Sequence, residues 1–395
     1  MKSFLVEKIL VFIVFLLCNL FFVPTESFDG SAATGFSQLV RVVALATLVT
    51  AFWGVFFPKK IIVRTGALVV LLLFVGGMLI SNFGSVRAGV ALVFFPIAMA
   101  FLCFLLFVLA ESSAKFKSIF TSSLTWIVIF WVGSYLAQLA IFIVLGEILD
   151  VHNFFFPYSE QRTEVVVDGL VRLGGIHIEP GTFSNWLFGV LILRSILVGD
   201  VFDRINIVGF IGLPASLSVW GFIATVFVIA AYFLQKRRAI SKGVVAILSL
   251  GIVLGTLEVS YGFVSDIQIY LESRSGVESS STSTKYDAYS SFGSEAHKFV
   301  LVGQDVTYNF CESCWSIQDA GVSVNLATKI GIFFTVFIFS LFGIGIYTRA
   351  GLSVLVLIIP MLWSKWFYWD PLFWLVVFFA FSCSYSEFKK GRANV

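Results

Sequence analysis

Apolar runs of about membrane-crossing length follow one another along almost the whole chain, with few charges inside them. A hydrocarbon core of about 30 Å needs about 20 apolar residues in a helix. Runs that reach or approach this length are 5–23, 38–57, 65–83, 89–110, 119–145, 181–199, 218–234, 243–263, 326–347, 351–366 and 370–385. Inside a bilayer every backbone N–H and C=O must be satisfied internally, so each run is expected to be helical. Only 12% of the 395 residues are charged and 59% are hydrophobic, with a mean hydropathy of +0.98. Soluble domains carry roughly a quarter charged residues. The expected fold class is therefore an all-α polytopic membrane protein, one integral membrane domain over 1–395. The formal net charge of +3 is small, and no nucleic acid partner is expected.

Charge placement sets the expected topology. Lys59, Lys60 and Arg64 form one basic cluster, Lys115 and Lys117 a second, Lys236, Arg237 and Arg238 a third, and Lys389, Lys390 and Arg392 a fourth. Basic residues gather on the cytoplasmic side of membrane proteins. With a cytoplasmic N-terminus, loops 24–37, 146–180 and 264–325 fall outside. The opening segment has the look of a signal peptide, but Phe22-Val23-Pro24-Thr25 offers no small-x-small cleavage site, so it reads as a first spanning helix. Passing from an external residue 180 to an internal residue 236 takes three crossings, so the short stretch Ile205–Leu217 is expected to cross as well. The count is then about twelve helices with both termini cytoplasmic, eleven being the alternative. Loops 146–180 and 264–325 are far longer than connections between packed helices, which marks them as functional or disordered.

The most informative stretch is Arg172-Leu173-Gly174-Gly175-Ile176-His177-Ile178-Glu179-Pro180, leading into Gly181-Thr182. Pro180 suits the first turn of a helix, and Glu179 suits its positive end. An external Arg172 beside a helix N-terminus is a candidate contact for a diphosphate. The plain alternative, a capped helix beside a surface arginine, is equally compatible with these residues.

The same stretch carries a resemblance. R-x-x-G followed by E-P at a helix head resembles the O-antigen polymerase (Wzy-type) family, within the wider O-antigen ligase superfamily. Three further features stand in that family's order. Ser216-Leu217-Ser218-Val219-Trp220-Gly221 is similar to its S-x-S-x-x-G turn, Asp319 followed by Gly331 to its acidic residue and spaced glycine, and Trp366 to Trp374 to its closing segment. The resemblance implies a GT-C-like arrangement in a bacterial cytoplasmic (inner) membrane. It implies an oligosaccharide repeat-unit polymerase, a glycosyltransferase working at the outer face in O-antigen or capsule synthesis. The substrate is undecaprenyl-diphosphate-linked oligosaccharide, and a chain-length regulator and a flippase are the implied partner proteins. No cofactor and no metal are expected. Asp319 and Glu179 are the candidate catalytic residues, Arg172, Lys285 and Arg274 the candidate diphosphate contacts, and Gly175, Pro180 and Ser218 the motif supports. An O-antigen ligase and a flippase or transporter of the same lipid-linked sugar are the alternatives.

Other residues read more plainly. His152 and His297 are expected to be solvated, His177 to be structural, and Arg41 to snorkel from the outer end of its helix. Arg194, within a span, should face the bundle or reach the cytoplasmic surface. The phenylalanines are expected to face lipid. Cys311-x-x-Cys314 is expected to be a local disulfide or free thiols rather than half of a zinc site, and Trp315 is a remote candidate for a sugar face.

Overall fold

The computed structural model describes residues 2–19, 30–56, 58, 60–82, 90–155, 161, 163–167, 170–235, 290, 292–293, 296–303, 321–363, 366 and 368–382. Its described part is nearly all helical. In order it contains α1 (Lys2–Asn19), α2 (Gly30–Phe56), α3 (Thr65–Asn82), α4 (Val90–Ser112), α5 (Ala114–Leu145), the one-turn α6 (Val151–Phe155), β1 (Glu164–Val167), β2 (Leu170–Arg172), α7 (Pro180–Val198), α8 (Arg204–Ala215) and α9 (Val219–Gln235). After a 3₁₀ turn at Ala296–Phe299 come α10 (Val322–Ile330), α11 (Ile332–Trp363) and α12 (Pro371–Phe379). Four helices are long and apolar enough to cross a membrane: Leu39–Phe56, Val93–Ser112, Ala114–Leu145 and Pro180–Val198. Several shorter apolar helices accompany them, including Thr65–Ser81, Arg204–Ala215 and Trp220–Gln235.

Helix ends follow the polar punctuation. Ser113 starts α5 by accepting Phe116 N–H at 3.3 Å, and Asp203 starts α8 by accepting Asn206 N–H at 2.9 Å. Such caps satisfy backbone donors that the helix itself leaves open. The expected span 326–347 is divided: α10 ends at Gly331, whose φ of 92° is non-helical, and α11 begins after it. The expected spans 326–347 and 351–366 therefore become α10 and an α11 interrupted at Gly351. The expected span 243–263 lies outside the described residues.

Helix α7 is the centre of the bundle. It packs against α5, α8, α9, α11 and α12, and Phe183 through Ile196 are all buried. A helix that is apolar on all sides is one that neighbours surround. The phenylalanines divide: Phe94, Phe101, Phe333 and Phe337 are exposed, in keeping with the expected outward role, whereas Phe74, Phe107, Phe116, Phe120, Phe183 and Phe188 are fully buried between helices. Ring stacking of Phe116 on Phe120 and of Phe120 on Phe379, at 6.0 and 5.6 Å, ties α5 to α12. Aromatic pairs at such distances add to the area they bury.

Two of the basic clusters converge. Arg64 Nη2 lies 2.9 Å from Glu111, Lys117 Nζ lies 3.4 Å from the same carboxyl, and Ser112 Oγ accepts Ile62 N–H at 2.8 Å. Lys115 approaches Glu7 at 3.7 Å, bringing the start of α1 to the same end. The segment between α5 and α7 occupies the opposite end of α5, and it contains the β1–β2 hairpin, which the sequence did not suggest.

Candidate functional site: the head of the central helix

The site begins with what precedes α7. Glu179 is extended (φ −147°, ψ 155°) and Pro180 opens the helix, as a proline without a donor can do at no cost in hydrogen bonds. Glu179 Oε1 accepts from Thr182 Oγ1 at 3.2 Å, while the Glu179 carbonyl accepts Phe183 N–H at 3.0 Å. Ser218, buried at the start of α9, stands on the same spot: a side chain at Gly181 would begin 3.7 Å from Glu179 Oε1 and 3.8 Å from Ser218 Oγ. Two of the sequence candidates, 39 positions apart (218 − 179), are thus brought together.

The turn that delivers Ser218 has a physical basis. Ser216 Oγ donates to the Leu213 carbonyl at 2.7 Å and accepts Ser218 N–H at 3.3 Å. A Cβ at Gly221 would sit 2.3 Å from the Leu213 carbonyl oxygen, so only glycine lets α9 close this tightly on α8. The hydroxyl of Tyr135 reaches over from α5 to the Ala215 carbonyl.

Upstream, a glutamine clamp shapes Gly174–Ile178. Gln138, inside α5, accepts Gly175 N–H at 3.0 Å and donates to Leu149 O at 2.7 Å and to Gln161 Oε1 at 2.6 Å. Gln161 donates in turn to the carbonyls of Gly175 and His177, at 2.8 and 2.7 Å. Gly175 has φ +57°, and a Cβ there would lie 2.9 Å from Ser134 Oγ, so its place in the motif is conformational. Arg172, half-buried, closes β2 in register with Glu164, seven positions before Glu179 (179 − 172). Asp319, Lys285 and Arg274 lie outside the described residues, as do Cys311, Cys314 and Trp315. The helix after Asp319 is the nine-residue, largely buried α10, packed on α3 and α11, and not the long span expected there.

Of the three histidines, one is not where the sequence suggested. His297 is exposed, as expected, but His152 is fully buried and its Nδ1 lies 2.8 Å from Ile176 O. Burial lowers its pKa below the ordinary value, against a smaller opposing effect of that hydrogen bond. His177 is buried in an aromatic slot, 4.6 Å from the Trp131 ring and 5.8 Å from the Phe183 ring, with no hydrogen-bond partner on either nitrogen. Burial, with a smaller contribution from His152, pushes its pKa down to about 3. A neutral imidazole with no proton to accept is a structural wedge, not a base at neutral pH.

This sets a pH dependence. The unfolded His177 takes up a proton near pH 6.5, whereas the folded one resists until about pH 3, so its contribution is complete above about pH 6.5 and is lost as pH falls through that window. Between pH 7.5 and 5 the expected loss is about 2 kcal/mol from this residue alone, and His152 adds in the same direction. Thermal unfolding of detergent-solubilised protein at the two pH values measures it. His177→Leu should shrink the gap, and an unchanged gap would remove His177 from the account.

About two turns into α7 from Pro180, roughly 9 Å along its axis, lies a buried polar group that sequence reasoning missed. Arg41 Nη1 pairs with Asp370 Oδ1 at 2.8 Å, both side chains being 1% exposed. The Arg41 guanidinium also stands 5.5 Å from the Trp186 ring, and Trp366 Nε1 donates to Asn185 Oδ1 at 3.0 Å. Arg41 therefore does not snorkel. It turns inward because a carboxylate and an aromatic face inside the bundle replace its water. The signal that could have found the pair is an acid, Asp370, set between two apolar runs. Arg194, towards the far end of α7, faces the bundle as expected, held by both Asp203 oxygens and by Asn206 Oδ1, each at 2.6 Å, and by Thr125 Oγ1 at 2.9 Å.

Among the described residues no group of three or more histidines, cysteines and carboxylates converges as a metal site would require. What the head of α7 offers is a carboxylate and two hydroxyls, a set fitted to hydrogen-bonding polyols. No family model, no curated protein and no solved structure matches this chain.

Proposed function

We propose that this chain is a membrane-embedded polymerase of lipid-linked oligosaccharides. In this reading the growing glycan leaves an undecaprenyl diphosphate carrier and joins a sugar hydroxyl of a second lipid-linked repeat unit, at the outer face of a bacterial inner membrane. About twelve spans in a GT-C-like arrangement, with both termini cytoplasmic, complete the proposal. The observation that carries it is the proximity of Glu179, Thr182 and Ser218 at the head of a largely buried central helix, next in sequence to the hairpin bearing Arg172. A diphosphate leaving group needs cations at the membrane surface rather than a nucleotide pocket, and Arg172 suits that role. A carboxylate beside hydroxyls is an arrangement that can bind and deprotonate a sugar hydroxyl. Asp319, Lys285 and Arg274 remain the further candidates, and a chain-length regulator and a flippase the proposed partners.

Arg172 supplies the first test. Arg172→Lys keeps the charge but loses the planar fork that binds two phosphate oxygens at once, so most polymer formation should disappear. The assay is purified protein given lipid-linked repeat units, with neither nucleotide nor ion gradient, and products resolved on a gel. Full-length polymer from Arg172→Lys would reduce the motif to a helix cap. Transfer of preformed polymer to another lipid would favour a ligase, and movement of the lipid across vesicles without elongation a flippase.

A further inference from the structure

Helix α5 is too long for the membrane it is proposed to cross. Its 32 residues extend about 48 Å, against a hydrocarbon core of about 30 Å. The end at Ala114 is fixed among charges, with Lys115 and Lys117 paired to Glu7 and Glu111. The excess therefore falls at the other end, where exposed apolar side chains flank the exposed Glu147. Ile143, Val144 and Leu145 are 72%, 78% and 64% exposed, the exposed Leu149 follows, and in α6 Phe154 is 81% exposed. At the average tilt of about 20° the apolar run 119–145, about 40 Å long, still stands roughly 38 Å tall. Apolar surface of this kind, interrupted by Glu147 but by no basic residue, calls for a cover.

We infer that the tip of α5 and the short α6 form an interfacial element that lies in the bilayer's headgroup and upper acyl region, with the acyl chains of ordinary membrane lipid as its partner. The argument for lipid, rather than a second protein, is continuity. The exposed face of α5 runs without a polar break from Trp126 and Ile129 through Leu136 to the Ile143–Leu145 tip. The other side of α6 leans on the bundle: Phe155, itself partly open, meets Phe130 of α5 edge-on at 5.9 Å, and His152 is buried beneath. Asp150 accepts the N–H of Asn153 at 2.7 Å and of Gln161 at 2.9 Å, which turns its charge away from the apolar face.

The element has a consequence for the candidate site. His152 touches Ile176 O, and Gln138 holds Leu149 O with one hand of its amide and Gly175 N–H with the other. Whatever depth α6 takes in the membrane is passed to Gly174–Glu179 through these contacts. Lipid seating at α6 thereby sets the height of the α7 head relative to lipid headgroups. The inference rests on the membrane reading but not on the polymerase reading.

The test places a polarity-sensitive fluorophore at Phe154→Cys or at Ile129→Cys, in full-length protein lacking its native cysteines and reconstituted in phosphatidylcholine–phosphatidylglycerol vesicles. Nitroxide-bearing lipids should quench the label at 154 most when the nitroxide is shallow, and the label at 129 most when it is deep, with aqueous iodide quenching neither strongly. Quenching at 129 but only iodide quenching at 154 overturns this inference and leaves the membrane reading standing. A label at 154 shielded from both quenchers, with crosslinks between chains, also overturns it, in favour of a second copy. Failure of lipid quenching at both positions overturns the membrane reading itself.

Discussion

Asp370→Ala should destabilise the protein by about 3–5 kcal/mol, the cost expected when one partner of a buried ion pair is removed and the other charge stays behind. The pair it breaks is sealed, at 2.8 Å and 1% exposure on both sides. Arg41→Ala leaves the carboxylate stranded and should cost a comparable amount. The informative variant is the double substitution Arg41→Met with Asp370→Leu, which removes both charges and fills the space. Buried pairs replaced in this way often lose nothing, so the double variant should recover most of the stability lost by either single change. Unfolding midpoints of the four proteins in one detergent measure the cycle. If the double variant is as unstable as the sum of the single ones, Arg41 and Asp370 act separately. If it is stable yet makes no polymer in the assay for Arg172, the pair belongs to the reaction as well as to the fold.

The second large effect is expected at Asp319. As the group that accepts the proton of the acceptor hydroxyl, it would contribute on the order of 10²–10⁴ in rate. Asp319→Asn preserves shape and hydrogen-bonding capacity while removing basicity. It should bind lipid-linked repeat units as the parent does and elongate them at least about a hundredfold more slowly. The plain alternative, a carboxylate near the start of α10, would cost about 0.3–1 kcal/mol of stability and leave the rate intact. Rate and binding measured on the same preparation separate the two, and normal elongation by Asp319→Asn would return the catalytic role to Glu179 or elsewhere.

Much of the helical layout was legible in the sequence because hydrophobic runs and charge clusters act locally. The boundaries of α7, α8 and α9 follow from Pro180, Asp203 and the Ser216–Gly221 turn, each of which works through its own backbone neighbourhood. The head of α7 was legible for the same reason. What stayed hidden depends on partners remote in the chain. Nothing near Arg41 announces a carboxylate 329 residues away, and the local pattern favoured a side chain reaching for water. Gln138 lies within an apolar run and shows its purpose only when Gly175 and Gln161 are folded onto it. His152 looked solvated because a polar loop gives no warning that it will fold over its own histidine. The split of 326–347 into α10 and α11 turned on one backbone angle at Gly331, which hydropathy does not record.

The distance along the chain between Arg41 and Asp370 has a further meaning, in time. Ribosomes add about 5–20 residues each second, so the carboxylate that Arg41 ends up holding is made tens of seconds after Arg41 itself. Over that interval the guanidinium cannot be sealed into the bundle by its eventual partner, and water or some other anion has to hold it. The clasp therefore closes only once residue 370 has been made, drawing α2 and the start of α12 together beside α7. A chain interrupted before residue 370 carries Arg41 without the carboxylate that seals it.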